Sequence, residues 1–263
     1  MRSACLEPRP GGLAASVLCG IPLTTAPLNA ILEEMGRNIS GERRNRVVSI
    51  TNTESMYFAL RRTEHAEYVR RADVSACDGI GVAIAGGAFG YRIPRLNGPA
   101  LMEECCRYGV SRGWRHFFYG GKPGVAGRLA ANLGGRFPGL IVAGLHTPPF
   151  RTVGTREDAA VLKAMQETRP DILWVGLGLL KQEAWIAAHM PALRVPWFAG
   201  VGAAFDFHAG TARRAPPWIQ ACGLEWLYRL CREPRMLVRN GRSFVFLGQA
   251  LALAAARGRM TAR

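Results

Sequence analysis

Short apolar runs separated by polar and glycine-rich breaks recur along this chain, and their spacing predicts strands alternating with helices. Residues 47–50, 74–77, 114–119, 140–143, 172–175 and 197–201 are rich in β-branched, aromatic or small apolar side chains and end in turn residues, as buried strands do. Between them the pattern predicts helices in the later part of 21–40, over 55–71 with Met56, Leu60 and Tyr68 on one side, and over 100–108, 125–133, 157–167 and 182–189. Residues 79–90 are small enough for a ligand-facing turn followed by a closely packed helix. The alternation predicts an α/β fold with a mainly parallel, Rossmann-like sheet covered by helices and a basic helical C-terminal appendage. Residues 1–20 are expected to be a flexible extension and 21–210 the α/β body, either one continuous sheet or two lobes meeting near 95–112. Residues 211–263 form the amphipathic appendage.

Charge sharpens this picture. The chain has 263 residues, 49% of them hydrophobic, and a formal net charge of +15. Residues 210–263 hold ten arginines against two acidic side chains, so much of the excess is local. Such a surface attracts nucleic acid, anionic lipid or phosphorylated substrates. Paired Cys/His spacings, a K/R-G-F aromatic signature and a basic heptad helix are all missing from the sequence, which argues against nucleic acid. Seven cysteines without a C-x-x-C pair point to a reducing compartment. The apolar stretch 244–256 lies between Arg242 and Arg257 and is too short to span a bilayer, though it suits a membrane surface, a groove or a contact between copies of the chain.

Five segments carry candidate chemistry. Asp78 follows a short apolar run and precedes Gly79-Ile80-Gly81, where a strand end can present a carboxylate to a crevice; the other reading is a cap on the following helix. Gly120-Gly121-Lys122-Pro123-Gly124 can turn backbone N–H groups toward an anion, or make a plain tight turn. Gly176-Leu177-Gly178 leads into Lys181-Gln182-Glu183, where Gln182 can both donate and accept, as a sugar or a uracil edge requires. Asp206 stands between Phe205 and Phe207 and reads as a buried carboxylate that needs a partner. The five histidines show no metal-binding spacing, so no metal is expected. Arg232, Arg235, Arg239 and Arg242 recur at helical intervals and would present a fork of guanidiniums suited to a diphosphate, although Pro234 marks a helix start among them.

Taken together, the blocks at 72–81, 117–140, 169–185, 200–210 and 214–235 resemble the WecG/TagA/CpsF family of bacterial glycosyltransferases, with similarity over residues 20–243. The resemblance implies an inverting transfer of a sugar from a nucleoside diphosphate, commonly UDP, to a polyprenyl-diphosphate-linked saccharide during surface-polymer assembly. It implies Asp78 as general base, Asn52 and Gln182 in the catalytic pocket, and Arg232, Arg235 and Arg239 as the diphosphate-binding and membrane-facing group. Thr51, Gly79, Gly121, Gly176, Gly178, Lys181, Glu183 and Asp206 complete the expected substrate contacts. No cofactor or metal is implied, and the enzyme is expected at the inner face of the cell membrane, on an anionic surface. Two positions depart from the family pattern: Ile50 stands where a threonine is common, and Leu180 where a proline commonly precedes Lys-Gln-Glu. The rival reading is a noncatalytic module that binds nucleotide-sugar or polyanion.

Overall fold

The computed structural model describes residues 12–41, 43, 45–149, 159–232 and 236–261. Six strands, β3 (Arg46–Thr51), β4 (Val74–Cys77), β5 (Arg115–Gly120), β6 (Ile141–His146), β7 (Ile172–Gly176) and β8 (Trp197–Gly200), form one sheet in the order β4-β3-β8-β7-β5-β6. Every pairing in it is parallel. The sheet runs without a break across residues 95–112, which hold the helix α5 (Gly98–Val110).

The strands are legible as apolar runs because helices cover both faces. Along β7, Ile172 and Trp174 pack on one side with α1 (Leu28–Ser40), α5 and α6 (Val125–Arg136), while Leu173 and Val175 pack on the other. The helices on that second side are α7 (Ala159–Glu167) and α8 (Lys181–His189). Residues 157 and 158, expected in α7, lie outside the described residues.

Two expectations need correction. Part of the predicted N-terminal extension is structural: β1 (Ala15–Leu18) pairs antiparallel with β2 (Ile21–Thr24). Cys19 and Gly20 both take positive φ at the turn, and Leu18, Ile21 and Leu23 are fully buried. Residues 1–11 lie outside the described residues. The single helix expected over 55–71 is two, α2 (Thr53–Ala59) and α3 (Thr63–Arg71). Arg62 is extended, and the bend between the helices brings the His65 ring against Ser55, Nε2 to Oγ 2.9 Å. A tertiary contact thus overrides a helical pattern.

The appendage is folded onto the body. It consists of α10 (Pro217–Ala221), α11 (Glu225–Arg232) and α12 (Met236–Thr261). Phe246 and Ala250 of α12 are buried with Met56 and Ala59 of α2 and with Val82 and Ala85 of α4 (Ile80–Ala88). The four recurring arginines do not share one helix: Arg232 ends α11, whereas Arg239 and Arg242 belong to α12, and Arg235 lies outside the described residues. No helix among the described residues is long and apolar enough to cross a membrane.

Candidate active site

A cavity of about 1140 Å³ opens beyond the carboxyl ends of β3, β4, β5, β7 and β8 and is closed from the opposite side by α10 to α12. In parallel sheets this is where ligands bind, because loops at the strand ends diverge around the point where strand order reverses. Asn52, Asp78, Gly121, Gly176, Gly178, Lys181, Gln182 and Asp206 all line it, together with Gly79 and Arg239. Residues predicted one by one from five separate strand ends therefore meet in one space.

Asp78 is placed rigidly. Its N–H donates to the Thr51 carbonyl at 2.9 Å, locking the ends of β4 and β3 together. The N-cap of α4 is Gly79, at φ +88°, so Asp78 is not the cap. Among the described residues its carboxylate has no hydrogen-bond or ion-pair partner, which leaves it available to a ligand. Burial pushes its carboxyl above the ordinary range; Arg239 opposes that rise, Glu225 adds to it, and Arg214 and Arg229 oppose it again. A carboxylate raised in this way is a better proton acceptor than one in water.

Asn52 has two placements at once. Its Oδ1 accepts from the Ser55 N–H at 2.9 Å, capping α2, and its side of the helix start faces the cavity. Thr51, expected as a substrate contact, is instead fully buried; its hydroxyl meets Ser75 Oγ at 2.9 Å and Ser49 Oγ at 3.3 Å within the sheet. The side chain alternates away from the cavity, and Ile50 takes the lining place.

The β5 and β7 ends approach so closely that only glycine fits. A Cβ on Gly120 would stand 2.6 Å from the Gly176 carbonyl oxygen, and one on Gly176 would stand 2.5 Å from the Phe205 ring. The Gly121 N–H donates to that same Gly176 carbonyl at 3.0 Å. After β7 the chain enters α8 through Leu180, at φ +70° and ψ −37°. Proline is fixed near φ −65°, so the proline common at this place in the family could not adopt this backbone.

Gln182 is 5% exposed and held at both ends: Oε1 accepts from the Gly202 N–H at 3.0 Å, and Nε2 donates to Glu183 Oε1 at 3.0 Å. It ties the loop after β7 to the loop after β8, and these two bonds leave one N–H and one lone pair of a residue that lines the cavity unused. Glu183 lies behind it and does not line the cavity, contrary to the expected substrate contact. Among the described residues its Oε2 is buried without a hydrogen-bond partner, and burial pushes its carboxyl up to about 7. Asp206 is partly exposed, not buried; its Oδ1 accepts from the Thr211 hydroxyl at 3.0 Å, which supplies the partner.

The basic wall draws on more residues than the sequence singled out. Arg214 and Arg229 lie at 5.7 and 5.5 Å from the Phe207 ring centre, and both line the cavity with Arg239 and Arg95. Arg95 reaches the site because residue 95 bridges in parallel to Cys77 beside the end of β4, and its Nη2 donates to the Gln220 carbonyl at 3.0 Å. The position after a predicted strand end could have marked Cys77 and Asp78, but nothing local marks Arg95. The Arg232 side chain and all of Arg235 lie outside the described residues. Among the described residues no three His, Cys, Asp or Glu side chains gather as a metal site.

Comparison with known proteins now bears on this geometry. The model of the glycosyl transferase WecG/TagA/CpsF family matches residues 16–260. An N-acetylglucosaminyldiphosphoundecaprenol N-acetyl-beta-D-mannosaminyltransferase of Bacillus subtilis (strain 168) is 24% identical over 215 residues, 81% of this chain and 82% of that protein. Proteins of the same name from Staphylococcus aureus strains MRSA252 and MW2 are each 26% identical, over 81% and 84% of this chain and 82% and 86% of their own lengths.

Proposed function

This chain belongs to the WecG/TagA/CpsF family of glycosyl transferases, and on that premise we propose that it moves a hexosyl or N-acetylhexosaminyl group from a UDP-sugar to a polyprenyl-diphosphate-linked saccharide. The observation that carries the reading is the Asp78 carboxylate, without a hydrogen-bond or ion-pair partner among the described residues, in one cavity with Arg239, Arg214 and Arg229. Asp78 removes the proton of the acceptor hydroxyl as that oxygen bonds to the anomeric carbon. The bond from that carbon to the UDP oxygen breaks on the opposite face, which inverts the centre. The guanidiniums stabilise the charge that grows on the departing diphosphate, the role a metal ion fills in other transferases. Excess EDTA is therefore expected to leave turnover unaltered, and a loss restored by magnesium or manganese rejects this part.

The acceptor lipid brings the enzyme to a membrane. Trp218 is 67% exposed, and Leu237, Val238 and Phe244 are exposed on α12 among its arginines, a pairing of apolar and cationic side chains suited to an anionic interface. The six described cysteines are free thiols, in keeping with the inner, reducing face. The test is incubation of a panel of UDP-sugars with N-acetylglucosaminyl-diphosphoundecaprenol and mass spectrometry of the lipid. The expected product carries one added sugar; no product with any UDP-sugar rejects the reading.

A further inference from the structure

Glu54 was not among the residues that the chemistry of the chain suggested, yet it occupies the joint between body and appendage. It is 7% exposed and sits in the first turn of α2, three residues after Thr51. Its Oε2 is 3.0 Å from Arg239 Nε, and its Oε1 accepts from Arg242 Nη1 at 3.0 Å. Two cations three residues apart on α12 repel one another, and a buried carboxylate between them removes that repulsion. The same helix face continues the contact: Arg242 lies 5.0 Å from the Phe58 ring centre, and Arg61 Nη2 donates to Gln249 Oε1 at 3.1 Å.

We infer that Glu54 is a positioning residue, which fixes the Arg239 guanidinium at the anion-binding wall of the cavity and thereby completes the site. The inference deepens the transfer reading and rests on it only for the identity of the anion. The chain of contacts is short and stiff. The Asp78 N–H donates to the Thr51 carbonyl, Thr51 leads to the Asn52 cap, and two residues on, within the first turn of α2, Glu54 grips Arg239, so the distance from base to guanidinium is set by β3 and the start of α2. Arg242 serves as the second arm: it completes the charge balance of Glu54 and registers α12 on α2. A purely structural role for Glu54 would hold α12 in place without setting how Arg239 meets an anion. The two roles differ in what they predict.

Titration of inorganic pyrophosphate into the full-length protein, for Glu54→Gln, Arg239→Met and the pair, separates them. Each single substitution is expected to weaken pyrophosphate by about tenfold, the scale of one charge-assisted contact, and the double variant to be no weaker than Arg239→Met. Glu54→Asp, which keeps the charge, recovers part of the loss. Arg61→Met, which breaks the α2–α12 contact to Gln249 away from the cavity, is the structural control and is expected to hold pyrophosphate affinity within about twofold of wild type. Multiplying effects in the double variant, wild-type affinity in Glu54→Gln, or no pyrophosphate binding by the wild type overturns the inference. A wild type that binds pyrophosphate but transfers no sugar defeats the functional reading and leaves this cycle readable.

Discussion

Asp78 and Glu183 are both carboxyls raised by burial, but only one faces the cavity, and the difference yields two separate pH effects. As the proposed base, Asp78 acts in its ionised form, so turnover is expected to fall as pH drops through its raised pKa. The acid limb of kcat/KM is expected above about pH 4, the ordinary carboxylate value, and Arg239→Met should move it higher still by removing a neighbouring cation. The groups that share this control are Arg214, Arg229 and Glu225; a limb that stays put in Arg239→Met contradicts the assignment. For Glu183 the effect is on stability. Below about pH 4.5 folded and unfolded states both hold the proton; between there and about 7 only the folded state does, and stability falls by about 3 kcal/mol across that window. Glu183→Gln should flatten this fall in denaturant titrations at pH 5 and pH 8. His65 and His116, held down at about 4 and about 3, act with the opposite sign below their ordinary value and are common to both proteins, so the difference isolates Glu183. An equal slope in the variant would remove Glu183 from the account.

At the scale of elements, strands were easier to read than the joints between helices. The β5, β7 and β8 runs are apolar on both faces because helices cover both, so composition alone marks them. The break between α2 and α3 is set by the meeting of Ser55 and His65, and the docking of α12 by Phe246, Glu54 and Arg242; none of these leaves a local signal. Part of the expected N-terminal extension became β1 for the same reason: its Leu18 is buried together with Ile21 and Leu23 of the paired strand. The entry to α8 gives a test of backbone reasoning. Leu180→Pro is expected to destabilise the protein by about 3 kcal/mol or more, since the ring forbids the observed φ, while Leu180→Gly tolerates it. Chemical denaturation of the two variants checks the order, and equal stability would contradict the φ of this loop. Truncation of Phe246 to alanine is expected to cost about 3–5 kcal/mol and to loosen α12 from α2.

The whole molecule joins a sheet-borne carboxylate to arginines from a segment more than a hundred residues away. The half of the site built at strand ends was visible in the sequence because glycines and polar residues follow each apolar run: Asn52, Asp78, Gly121, Gly176 and Gln182 all reach the cavity. Of the other half only Arg239 was singled out, since Arg95, Arg214, Arg229 and Glu54 matter only through folding partners far along the chain. The same juxtaposition places exposed apolar side chains and cations on one appendage, so removal of residues after Cys231 should weaken flotation with anionic liposomes; equal flotation defeats the membrane role. The central claim is that Asp78 does the proton transfer within an anion site that does not depend on it. The direct measurement is turnover of Asp78→Asn with a UDP-sugar and the lipid-linked acceptor, beside UDP affinity for the same protein. A loss of about 10²–10⁴-fold in turnover with UDP affinity nearly unchanged is the predicted result, and turnover at the wild-type rate would contradict the account.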